Sequence, residues 1–125
     1  MRPVIERPER PRRTEASQVA AKSQGARRSP REYRSGADVF KALGNPSRLL
    51  IVDELAQGER CVADLTALVG TDVSTVSNHL AVLRNAGLVV DDRRGQQVFY
   101  RLGASCVANV FHCLEQIRAA REKLG

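Results

Sequence analysis

The sequence has no tryptophan, one methionine, two tyrosines and three phenylalanines in 125 residues. That scarcity of aromatics excludes the stacking platform on which single-stranded RNA modules depend. Nowhere do about 18 apolar residues run together, so no segment is expected to span a membrane. The N-terminus has arginine and proline where a secretory signal needs an apolar stretch, and a cytoplasmic location is expected. Three cysteines are an odd number for a disulfide framework. In a reducing compartment they are thiols, open to metals or to redox chemistry. A nucleophile/base pair and a glycine-rich phosphate loop are missing too, so an enzyme is not expected.

What is abundant is positive charge. The net charge is +6, which suits a polyanionic partner. Residues 1–35 hold ten Lys/Arg against four Glu, whereas residues 36–125 hold ten against ten, so the excess belongs to the N-terminal part. Residues 1–35 also contain four of the five prolines and few large apolar side chains. Such a composition buries too little surface to offset its ordering entropy, and a disordered basic arm is expected. Residues 36–125 are expected to form one domain.

That domain begins with a short helix over Ala37–Leu43, ended by Gly44. Asn45-Pro46 opens a second helix, the asparagine capping free N–H groups and the proline supplying a preset φ. Its apolar face is expected from Leu49, Leu50, Val52 and Leu55. A third helix covers Cys61–Val69, with Val62, Leu65, Leu68 and Val69 inward, and Gly70-Thr71-Asp72 forms the turn after it. In the fourth, Val73–Asn85, residues Val73, Val76, Leu80 and Leu83 recur on one helical face. The runs Leu88-Val89-Val90 and Val98-Phe99-Tyr100 flank Arg93-Arg94-Gly95-Gln96, which predicts a β-hairpin with a basic tip. A last helix is expected over Ser105–Lys123.

Helix, short glycine-containing turn, helix and β-hairpin is the order of a winged helix-turn-helix, a mainly α fold with a hairpin wing. Opposite the expected buried stripe of the fourth helix lie Ser74, Thr75 and Asn78, with Ser77 at its margin. Short polar side chains at a helix start are often only caps. Here the hairpin that follows brings Arg93, Arg94, Gln96 and Gln97, side chains suited to phosphates or the minor groove. Together they point to base edges in a major groove, with helix-start N–H groups as an anion site.

The strings VFKALGNPSRLLIVDEL, GERCVADL, STVSNHLAVLRNAGLV and RRGQQVFYRL, within Ala37–Leu102, resemble the ArsR/SmtB family of metal- and metalloid-responsive repressors. The resemblance implies a homodimer held by the first and last helices and bound to double-stranded operator DNA at two half-sites. It implies that an inducer lowers operator affinity, with no cofactor tightly bound. Cys61 stands where the family's metalloid box has two cysteines flanking a valine, but Ala63 replaces the second. Free cysteine also serves as a small buried apolar residue.

Cys106 and Cys113, two turns apart, lie along one edge of the stripe Val107, Val110, Phe111, Leu114 and Ile117. The string SCVANVFHCLEQI resembles the last helix of arsenic- and antimony-responsive members. Packing along a helix edge is the competing role for both thiols. Thiolate ligands suit soft ions: As(III) and Sb(III) first, with Cd(II) or Zn(II) as the alternative. The family's Asp/His site in this helix is absent, since Ala104 and Cys106 stand in its place. In a straight helix the two Cα atoms are about 10.5 Å apart. Either Cys106 precedes the regular helix, or an ion joins Cys106 of one subunit to Cys113 of the other, with Cys61 a further candidate ligand. A thiol redox or reactive-sulfur sensor of the same fold remains open.

Overall fold

The computed structural model describes residues 28–125. Pro30–Tyr33 forms a single 3-10 turn, and Arg34–Gly125 forms one compact unit. The expectation of a disordered arm falls largely on residues 1–27, outside the described residues. Its last part needs correction, because the first helix, α1, runs Arg34–Leu43 and begins three residues early. Nothing at Ser35-Gly36 breaks the backbone ladder, so composition placed the boundary too late.

Helix α2 spans Pro46–Ala56. Asn45 Oδ1 accepts the N–H groups of Ser47 at 2.9 Å and Arg48 at 3.2 Å, and Pro46 takes the first helical position as expected. Two otherwise orphaned donors are satisfied by one side chain. Asn45→Ala should cost about 1 kcal/mol, lowering the melting temperature by roughly 4–8 °C in thermal denaturation. The buried face of α2 is Ile51, Val52 and Leu55, while Leu50 is exposed. Leu49 packs against the core as expected, and only Leu50 is corrected here. Apolar residues are spread round the helix with no single apolar stripe, so packing against β3, the 3-10 turn Ser105–Ala108, α3 and α1 chooses the face.

A two-residue strand, β1 (Arg60–Cys61), precedes helix α3 (Val62–Val69). Helix α4 spans Val73–Asn85, then come β2 (Val89–Arg94) and β3 (Gln97–Leu102). The sheet order is β1-β3-β2, antiparallel throughout. A 3-10 turn, Ser105–Ala108, leads into helix α5 (Asn109–Leu124). Leu65, Val76, Leu80, Leu83, Leu88, Val89, Tyr100 and Val107 join the α2 residues in one core. Leu68, expected inward, is exposed at the far side of α3, and Phe40 of α1 is 72% exposed. No helix among the described residues is long and apolar enough to cross a membrane.

Candidate nucleic-acid interface

The turn before α4 is built from two local devices. Gly70 closes α3 in the left-handed region at φ +78°, where a side chain would be strained. Asp72 then caps α4, its Oδ1 accepting the Thr75 N–H at 3.4 Å. Hydrogen bonding to Thr75 holds the Asp72 carboxyl below the usual carboxylate range. The cap is therefore charged at neutral pH, and its contribution is lost only as pH falls through that lowered value. Of the N–H groups at this helix start, that of Thr75 thus faces a carboxylate of the chain itself.

Val76, Leu80 and Leu83 anchor α4 with no solvent exposure. Ser74, Ser77 and Asn78 are exposed, whereas Thr75 is half-buried. Val73, expected in the buried stripe, is 56% exposed. Its helical angle is nearly right, but it is the first residue of α4 and overhangs the end of the core.

The wing is a hairpin in which Arg94 pairs with Gln97 across a two-residue loop. Gly95 takes φ +62° at the first loop position while Gln96 keeps a negative φ, the pattern of a II′ turn. Arg93 faces Val98 across the ladder and has no ion-pair partner among the described residues. Arg94 is committed elsewhere. Its Nη1 and Nη2 donate to Glu59 Oε1 at 2.6 Å and Oε2 at 2.9 Å, and its Nε donates to Asp92 at 2.9 Å. Its guanidinium lies 4.7 Å from the centre of the Phe99 ring. The expected pair of free wing arginines thus reduces to Arg93, with exposed Gln96 and Gln97 beside it. Arg84 of α4 reaches Asp91 of β2 at 3.2 Å, which ties that helix to the wing.

Between wing and α4 lies a cavity of 350 Å³, lined by Val73 and Ser77 on one side and Gln96, Gln97 and Val98 on the other. Cys61, the buried last residue of β1, lines its floor and pairs with Phe99. Cys106, in the 3-10 turn, and Cys113, in α5, are both exposed. Among the described residues no three His, Cys, Asp or Glu groups cluster as a metal site, so one chain does not bring the three thiols together. His112 is exposed and shares a 2.8 Å hydrogen bond with Gln116. Along α5, Val110 and Phe111 pack on the core, but Leu114 and Ile117 are 40% and 50% exposed.

The pattern of bacterial regulatory proteins of the arsR family matches residues 45–90, which run from the α2 cap into β2. The biofilm growth-associated repressor of Xylella fastidiosa is 38% identical over 87 residues, 70% of this chain and 76% of that protein. The HTH-type transcriptional regulator NmtR of Mycobacterium tuberculosis is 45% identical over 74 residues, 59% of this chain and 62% of that protein, so less than two thirds of that relative is spanned. Among solved structures, the homodimeric winged helix-turn-helix DNA-binding domain of a possible ArsR-family regulator from Mycobacterium bovis superposes with a TM-score of 0.68. It is 34% identical and covers 80% of this chain and 95% of its own. The chain belongs to the ArsR family of bacterial regulatory proteins, and its fold is the family's winged helix-turn-helix.

Proposed function

We propose that the chain is a homodimeric, operator-binding repressor that a trivalent metalloid releases through Cys106 and Cys113. The observation that carries this reading is the pair of exposed thiols flanking the start of α5, beside an apolar edge that no element among the described residues covers. A second copy packed on Leu114, Ile117 and Phe40 would bury that edge. The homodimeric state of the Mycobacterium bovis domain supports such pairing.

The donor chemistry fits a soft ion, arsenite, antimonite or methylarsenite, since thiolates suit such centres. Cys106 precedes the regular helix, yet this does not draw the sulfurs together. With 3-10 rise up to Asn109 and α rise beyond it, the Cα atoms are about 12 Å apart along a continuous axis. The reading therefore pairs Cys106 of one protomer with Cys113 of the partner subunit. Cys61, under the wing, is the weaker candidate for a third ligand. Bound there, the ion cross-links two copies of α5 and favours a dimer whose α4 helices no longer match the half-site spacing. Retention of operator DNA with and without arsenite, then with and without an oxidant, tests the reading. Release by the oxidant alone would replace it with thiol redox sensing.

In the same reading α4 enters the major groove with Ser74, Ser77 and Asn78 toward bases, and the wing meets the backbone through Arg93, Gln96 and Gln97. Arg93→Ala in both protomers should flatten the log–log salt dependence of binding by about 1.8, or 0.9 for each phosphate no longer neutralised. Arg94→Ala should leave that slope near wild type, because Glu59 and Asp92 already neutralise its charge. A slope flattened as much by Arg94→Ala as by Arg93→Ala would put Arg94 on the DNA as well. The basic segment 1–35 would add a sequence-independent term, which its removal would expose.

A further inference from the structure

We propose that Val73 reads the C5-methyl group of a thymine in each operator half-site. The inference rests on the operator-binding reading above and names a specificity residue within it. Val73 is apolar and β-branched, yet it is 56% exposed at the tip of the helix that carries the exposed Ser74, Ser77 and Asn78. Neither the cap nor the buried core calls for valine there, although Val73 shares a cavity with Val62, Ala63 and Val98. Capping is done by Asp72, and the core is closed by Val76, Leu80 and Leu83 at no exposure. The preceding Thr71 and Asp72 and the following Ser74 are all polar and exposed.

Val73 and Ser77, four residues apart, share one flank of α4 and face the wing amides Gln96 and Gln97 across the 350 Å³ cavity. Ser74 and Asn78 occupy the next flank. The tip of α4 therefore presents an exposed apolar group beside the hydroxyl and amide groups of Ser74, Ser77, Asn78, Gln96 and Gln97, with Val62, Ala63 and Val98 lining the same cavity. In the major groove, only thymine offers a methyl group beside a hydrogen-bond acceptor. The Val73 side chain has no donor for a phosphate, so it contributes by excluding water from that methyl.

The experiment uses the full chain and DNA it has itself selected from a random duplex library. Each symmetric pair of thymidines in the selected duplex is replaced by deoxyuridine, which removes the methyl and keeps base pairing. For wild type, one pair should weaken binding by about fourfold per methyl removed, the worth of one buried methyl-sized group. Val73→Ala should bind the unmodified duplex with a similar loss and show no further loss at that pair. Val73→Thr, which keeps a methyl in place, should restore the sensitivity. Because Val73 is exposed, all three proteins should melt together. Wild type indifferent to deoxyuridine at every position would overturn the assignment, as would a full penalty retained in Val73→Ala. Selection that returns no preferred sequence would overturn the operator reading and this inference with it.

Discussion

Operator complexes of Cys106→Ser and of Cys113→Ser should persist at arsenite concentrations that empty the operator of wild-type protein. Moving a repressor from about 99% bound to about 1% bound requires a ligand that prefers the released state by roughly 10⁴-fold. A cross-link between two helices supplies such a preference only while it is anchored at both ends. Serine keeps the size and loses the soft donor, so either substitution leaves the ion held by one protomer alone and indifferent to the dimer arrangement. The two variants should therefore fail to the same degree, and combining them should add little. Both thiols are exposed, so neither change disturbs the core, and operator affinity without arsenite should match wild type. Cys61→Ser should still release, because its thiol lies under the wing with Phe99, Val73 and Ser77 as neighbours. Gel-shift titration with arsenite decides the matter. A wild-type response in Cys106→Ser and Cys113→Ser would refute the α5 site, and loss of response in Cys61→Ser alone would move the site to the wing.

The sequence was most legible where a residue acts on its own neighbours. Asn45-Pro46 announces the start of α2 because the cap bonds reach only two and three residues ahead. Gly70 marks the end of α3 for the same reason, through a positive φ that glycine tolerates. Val76, Leu80 and Leu83 follow from helical period, since the middle of α4 lies over the core.

Val73 obeys the same period and is exposed, because period fixes an angle around a helix and says nothing of where the facing elements stop. Leu68 fails for a related reason, as an apolar residue past the edge of the core looks the same in sequence as one within it. The ion pair of Arg94 with Glu59 joins residues 35 apart in sequence, and no local pattern foretells a partner at that distance. Strand β1, two residues long, carries no alternation to detect. The candidate DNA residues were therefore legible as types, and their division into free and engaged side chains was not.

Gly103→Ala should destabilise the fold by about 3 kcal/mol, at the upper end of the usual range for inserting atoms into a packed site. A Cβ built at Gly103 would stand 2.5 Å from the carbonyl oxygen of Gly87, with the Leu88 backbone behind it at 3.4 Å. These neighbours are main chain, so no rotamer change relieves the clash. Gly87 is itself fixed. At φ +81° it closes α4, its N–H donating to Arg84 at 2.9 Å, while the Leu88 N–H donates to Leu83 at 3.0 Å, which is a Schellman motif. Gly103 in turn donates to Leu88 at 2.8 Å, stitching the exit of β3 to the chain just before β2. The two glycines are needed for different reasons, and substitutions separate them. Gly87→Ala has open space around its Cβ and suffers only the left-handed backbone, about 1–2 kcal/mol, part of which Gly87→Asn should recover. Gly103 has no positive φ, so Gly103→Asn should be no better than Gly103→Ala. Thermal melts of the four variants check the order, and a mild Gly103→Ala would mean that this junction is slack. Because the junction hangs the wing from the end of α4, Gly103→Ala should also weaken operator binding at temperatures where the protein is still fully folded.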